Sequence, residues 1–132
     1  YRDRQAGGRL GRFETTSALS CTPYLIPQEC GNHVETRWVT LTDSSDTGIR
    51  VESTVPFEFS VLPYTCHELE GARHWFELPK PYASVLRILE QQTGVGGDNS
   101  WGAWAHKPYR LSGEETRTFS FSIRMLQNGR TA

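Results

Sequence analysis

Thr118-Phe119-Ser120-Phe121-Ser122-Ile123-Arg124-Met125 alternates polar and apolar side chains at every step. A strand turns successive side chains to opposite faces, so this spacing predicts Phe119, Phe121, Ile123 and Met125 on one apolar face and Thr118, Ser120, Ser122 and Arg124 on the other. Phe57, Phe59 and Val61 repeat the pattern, as do Ile49 and Val51. Trp38 to Leu41 reads as a further strand, and Val85 to Leu89 as one apolar enough to be buried on both faces. Residues 9 to 17 are rich in β-branched and aromatic types and predict another. Asp43-Ser44-Ser45-Asp46-Thr47-Gly48 has the composition of a hairpin connection, and Pro79 and Pro81 break the chain before residue 85. Thr65-Cys66-His67-Glu68 fits a capping box, and Leu69 and Ala72 supply a short apolar stripe, which predicts a helix of about two turns at 66 to 73. The fold class expected is all-β, an antiparallel β-sandwich with one short helix.

At 132 residues the chain is long enough for a single domain, 1 to 132. It is 36% apolar, so a modest core is expected. A net charge of -1 gives no electrostatic case for nucleic acid or an anionic membrane surface. No apolar run approaches the roughly 20 residues a spanning helix needs, and no secretory signal opens the chain. The start at Tyr1-Arg2-Asp3-Arg4, without an initiator methionine, reads as a cut boundary in preference to the start of a naturally small protein. Cys21, Cys30 and Cys66 are odd in number and widely spaced, which argues against a zinc site or redox pair and for free thiols in a reducing compartment, with one disulfide as the alternative.

The segment richest in chemical information is Gly94-Val95-Gly96-Gly97-Asp98-Asn99-Ser100-Trp101. Its glycines allow a tight, irregular loop. Asp98, Asn99 and Ser100 are short polar groups able to brace that loop through their own side chains. Trp101 would then stand on an ordered loop rather than in a strand. Its large apolar face and single N–H suit a platform for a sugar ring, although an indole there could equally cap the sandwich; Trp104 has the same two readings. The loop is no phosphate cradle, because Gly97 leads to Asp98 and not to Lys-Ser/Thr.

A second segment, Tyr24-Leu25-Ile26-Pro27-Gln28-Glu29-Cys30-Gly31-Asn32, carries one carboxylate. Glu29 could act as an acid or base, but pairing with Arg37 or with backbone donors is the plainer role. A glycosidase needs two carboxyl groups about 5 to 9.5 Å apart, and nothing in the sequence pairs Glu29, Glu35 or Asp98. His33, His67, His74 and His106 show no metal-ligand spacing, and neither Ser100 nor Cys30 sits in a nucleophile motif.

Taken in order, these segments resemble the C-terminal domain of the β-galactosidases of glycoside hydrolase family 2. The resemblance is carried by Pro27-Gln28-Glu29-x-Gly31-Asn32, Arg37-Trp38, Tyr64-Thr65 with Glu68-Leu69, His74, Glu77-Leu78-Pro79 and Gly94-Val95-Gly96-Gly97-Asp98-x-Ser100-Trp101. Tyr1-x-Asp3-Arg4, Gly11-x-Phe13 and Phe119-x-Phe121 fit as well, so it covers about the whole chain. Departures are Cys30 where Asn is usual, Asn99 where a second Asp is usual, and Leu89 where an Asp commonly precedes the loop.

The resemblance implies about the C-terminal half of a galactose-mutarotase-like sandwich. It also implies a non-catalytic part of an enzyme that hydrolyses terminal β-D-galactosides such as lactose, with both catalytic glutamates on a separate barrel. On that reading the isolated chain is inactive, and Trp101 stacks on the sugar, supported by Gly96, Gly97, Asp98, Asn99 and Ser100. The partners implied are the galactoside, the catalytic barrel and the remaining domains of the same enzyme, with room for a homo-oligomer and with neither nucleic acid nor membrane. No cofactor is expected in this chain, magnesium and sodium ions being bound elsewhere in the full enzyme, and the compartment expected is the cytoplasm. The rival readings are a stand-alone carbohydrate-binding module of lectin type and, by fold analogy alone, an epimerase of the mutarotase kind.

Overall fold

The computed structural model describes residues 10–94, 96–99 and 101–131, with the side chains of 130 and 131 excepted. The regular structure of these residues is mainly sheet, with one helix and two 3-10 turns, and irregular chain connects the elements. The strands are β1 (His33–Thr42), β2 (Gly48–Leu62), β3 (Val85–Leu89), β4 (Ser122–Gln127) and β5 (Arg130–Thr131); the helix is α1 (Cys66–Gly71). The sheet runs β1-β2-β4-β5, with β3 also paired to β2, and the β2–β4 and β4–β5 ladders are antiparallel. The all-β expectation therefore holds for the class.

The chain divides into two compact units. The first holds Val34–Glu58 and the stretch from Leu89 onward. Its hairpin turn between β1 and β2 is built by Asp43, whose Oδ1 accepts from Ser45 N (2.8 Å), Ser45 Oγ (2.7 Å) and Thr47 N (3.1 Å). Asp43 N in turn donates to Thr47 O, 2.9 Å away. These bonds hold the Asp43 carboxyl below its ordinary range. The two short strands expected around Ile49 and Phe57 are one strand of 15 residues. Val51, Phe57 and Leu126 are the buried apolar side chains of this unit.

The alternating segment is only partly a strand. β4 begins at Ser122, so Phe119 and Phe121 precede it. The β2–β4 ladder stops at Glu52↔Ser122, and beyond it the Ser53 hydroxyl donates to Ser120 O at 2.9 Å in place of a backbone rung. Pro56, a few residues along β2, has no N–H to give to a ladder. The register puts Ile123 and Met125 opposite Val51 and Ile49, hence on one face of the sheet, as the alternation predicts. Yet Ile123 and Met125 are each 59% exposed, and the buried residue of β4 is Leu126 on the other face. The apolar face is present but lies open on this strand.

The second unit holds the stretch up to His33 and Phe59–Ile88. Its core is Val61, Leu62, Leu69 and Ala72. The capping box forms as the sequence predicts: Glu68 N donates to Thr65 Oγ1 (3.2 Å) and Thr65 N to Glu68 Oε2 (2.7 Å). The helix closes at Gly71, two residues short of the expected end. Ala72 is already extended, yet both Leu69 and Ala72 are buried as expected. Two expectations fail here. Residues 10 to 16 form no strand: Leu10 and Phe13 are about four-fifths exposed, and without a neighbouring strand to bond, β propensity alone does not make one (residue 9 lies outside the described residues). Val85 to Leu89 do form β3, but each residue is half-buried, not enclosed on both faces. Among the described residues, no helix is long and apolar enough to cross a membrane.

Candidate functional site

The glycine loop leaves β3 under the control of a buried carboxylate. Glu58, 9% exposed, accepts from the Gln92 backbone N–H at 3.1 Å. Beyond Gln92 the chain runs out to Trp101 and returns through residues 103 to 111. At the base, Gly94 N donates to Tyr109 O at 2.6 Å, and Thr93 Oγ1 bridges Tyr109 O and Leu111 N at 3.3 Å each.

Gly97 is the position where the loop demands glycine. A Cβ there would lie 2.4 Å from Trp104 O and 2.7 Å from Ala103 O, both backbone atoms that cannot swing aside. Gly96, with φ +74°, sits in the left-handed region that side chains disfavour.

Asn99 acts as the brace. Its Oδ1 accepts from Trp101 N at 2.8 Å and Ala103 N at 3.4 Å, an Asx-type turn that fixes the backbone carrying Trp101. Asp98 Oδ1 meets His106 Nε2 at 2.8 Å. Trp101 itself is 90% exposed. Of the two sequence-based readings, an indole packed as a cap does not describe it within its own unit. Ser100 lies outside the described residues. Trp104 is 76% exposed and has the Arg110 guanidinium 5.2 Å from its ring centroid; Arg110 Nε also donates to Ala105 O. Beside these side chains lies a cleft of about 330 Å³, lined by Thr93, Gly94, Trp104, Ala105, Arg110 and Leu111 among others.

Sequence reasoning missed Glu58, His106 and Arg110. His106 carries no motif, and its link to Asp98 spans eight residues of irregular chain, so no periodicity announces it. Glu58 sits inside an apolar run, and only the fold shows that it points to a loop amide.

Glu29, in the second unit, pairs with Arg87 (Oε2 to Nη1 2.5 Å), not with Arg37. The plain structural role expected of it stands with a different partner. Among the described residues, no three His, Cys, Asp or Glu side chains gather as metal ligands would. Cys21, Cys30 and Cys66 are free thiols, and burial first, then the neighbouring Cys30, pushes the Cys21 thiol up to about 11.

Among the described residues, the most distinctive feature is an exposed tryptophan on a glycine loop braced by Asn99. Residues 1–125 match the family described as Beta galactosidase small chain, and the chain belongs to that family. It is 43% identical to the β-galactosidase small subunit of Latilactobacillus sakei, over 93% of this chain and 42% of that protein. It is 42% identical to the β-galactosidase BgaC of Bifidobacterium adolescentis and 41% identical to the β-galactosidase of Streptococcus thermophilus, in each case over 96% of this chain and 12% of the relative. The chain thus spans less than half the length of the curated relatives it matches.

Proposed function

We propose that this chain is a non-catalytic segment of a β-galactosidase and that it completes an active site whose catalytic glutamates lie on another part of the enzyme. The observation that carries the proposal is Trp101: an indole almost wholly exposed, on a loop whose backbone is fixed by Asn99 and by the close approach of Gly97, in a chain of the β-galactosidase small chain family. An exposed, pre-positioned indole offers a flat apolar face to the C–H side of a sugar ring at little conformational cost.

In this role Trp101 stacks on the galactoside, lactose being the natural probe, while Gly97, Asp98, Asn99 and Ser100 shape the loop. The partners are the catalytic barrel and the remaining domains. The open face of Ile123 and Met125 is the side on which a second sheet of the sandwich would lie, making residues 1–132 one piece of a larger domain. The chain needs no cofactor of its own in this role, and the whole enzyme works in the cytoplasm.

The test is hydrolysis of a chromogenic galactoside by this chain alone and by the intact enzyme that contains it. The expected result is turnover only in the intact enzyme. Turnover by the chain alone would overturn the proposal. Lactose binding by the chain alone, with no change when it joins the rest of the enzyme, would favour a lectin-type module instead.

A further inference from the structure

We propose that His106 is a positioning residue for Trp101, tying the outgoing arm of the glycine loop to a rigid post on the returning arm. The inference rests on the reading of Trp101 as a sugar platform.

Among the described residues, three sets of bonds hold the loop together. The base set joins Gly94 and Thr93 to Tyr109 and Leu111, and the tip set runs from Asn99 Oδ1 to the amides of Trp101 and Ala103. Every member of both sets uses a backbone group on at least one side. The middle rung is different: His106 Nε2 to Asp98 Oδ1, 2.8 Å, is side chain to side chain, and it falls next to the residue that braces Trp101. Gly97, lacking a side chain, lets the arms close enough for that rung to form.

The post is well fixed. The His106 carbonyl accepts from Tyr109 N at 2.9 Å, opening the 3-10 turn Lys107–Tyr109, in which Pro108 holds its own φ. Just before it, the Ala105 carbonyl takes a bond from Arg110 Nε. The imidazole therefore projects from backbone secured on both sides, whereas Asp98 belongs to the irregular glycine stretch. The bond transmits the order of one arm to the other.

Both side chains are mostly exposed, the imidazole 61% and the carboxylate 79%. A pair so solvated adds little to global stability. Its consequence is local, in where Asn99 and Trp101 lie, so removing it should register in sugar binding rather than in melting.

The experiment uses the intact β-galactosidase containing this chain, with lactose as substrate, and compares His106→Ala, His106→Gln, Trp101→Ala and the His106→Ala/Trp101→Ala double variant. His106→Ala is expected to raise KM about twofold to fivefold, the change that loss of an exposed pair corresponds to, with kcat and melting temperature nearly unchanged. His106→Gln, which keeps an N–H donor, should bring KM back toward the parent value. In the Trp101→Ala background, His106→Ala should have no further effect, because the group it positions is gone. If Trp101→Ala raises KM but His106→Ala does not, or if the two effects multiply independently, the inference about His106 falls and the reading of Trp101 stands. If Trp101→Ala leaves KM unchanged, the reading of Trp101 falls first and this inference with it.

Discussion

Val51 and Ile123 sit opposite each other in the β2–β4 ladder and share one face of the sheet, yet Val51 is 1% exposed and Ile123 59%. The face is covered at one strand and bare at the next. Met125 on the same face is 59% exposed, and Phe121, just before β4, is 44% exposed. Soluble surfaces carry such patches mainly where something binds. The expected outcome is that Ile123→Ser shifts the stability of this chain alone by no more than about 0.5 kcal/mol, as an exposed site would. In the intact enzyme the same change should cost on the order of 2 to 5 kcal/mol, as a buried one would. Denaturant titration of both forms measures the difference, and equal effects in the two would mean that the face stays open.

Gly97→Ala should disturb the loop without touching the sugar. The added Cβ would meet two backbone carbonyls at 2.4 and 2.7 Å, so the arms must part. The Asp98–His106 and Asn99–Ala103 bonds weaken together. In the intact enzyme KM for lactose should rise by as much as with Trp101→Ala, with the fold retained by circular dichroism. An unchanged KM would show that the close approach has no bearing on the site.

Acid should weaken the fold modestly through carboxylates that are bonded in the folded state, since all three lie at the surface where solvent screens them. Asp43 is lowered first by its bonds to Ser45, Glu77 first by its bond to His74, and Glu52 first by its bond to Arg50 with Arg124 adding to it. Their ordinary values are 3.8 for Asp43 and 4.5 for the two glutamates. A folded value below the unfolded one means that the unfolded chain binds more protons as the pH drops. The stabilisation is therefore fully present above about pH 5 and is lost as pH falls through the lowered folded values. The urea midpoint should be level from pH 7 to 5 and decline below 4.5, less steeply in Glu77→Gln. A midpoint that rises on acidification would contradict this.

Cys21 should be a poor nucleophile. With its thiol raised to about 11, the thiolate is scarce at pH 8, and alkylation by iodoacetamide should lag a free peptide thiol by on the order of a hundredfold. Cys30→Ser removes two of the three causes and should speed it, as mass spectrometry of the modified peptides would read. Equal rates in the parent and the variant would argue against the Cys21–Cys30 contact.

What the sequence discloses here is local. Alternation located β2 and β4, and the Thr65–Glu68 spacing located α1, because both signals arise from side chains a few residues apart. The Gly-Gly-Asp stretch announced a loop for the same reason. The sequence did not disclose which parts of a face are covered: the strip at Ile123 and Met125 has the pattern of a core and the exposure of a surface, since coverage depends on residues far away in the chain. Nor did it pair His106 with Asp98 or Glu58 with Gln92, contacts made by irregular backbone for which no period exists. Over the described part of the strand expected at 9 to 17, the expectation failed on the same ground, propensity without a partner strand.

The central claim is best tested at equilibrium, by titrating the intact enzyme with a thio-linked lactose analogue that cannot be hydrolysed. Trp101→Ala should weaken binding by on the order of 1 to 3 kcal/mol, while Trp101→Phe, which keeps an aromatic face, should retain most of the affinity. Identical affinities in the parent, the phenylalanine and the alanine forms would contradict the account.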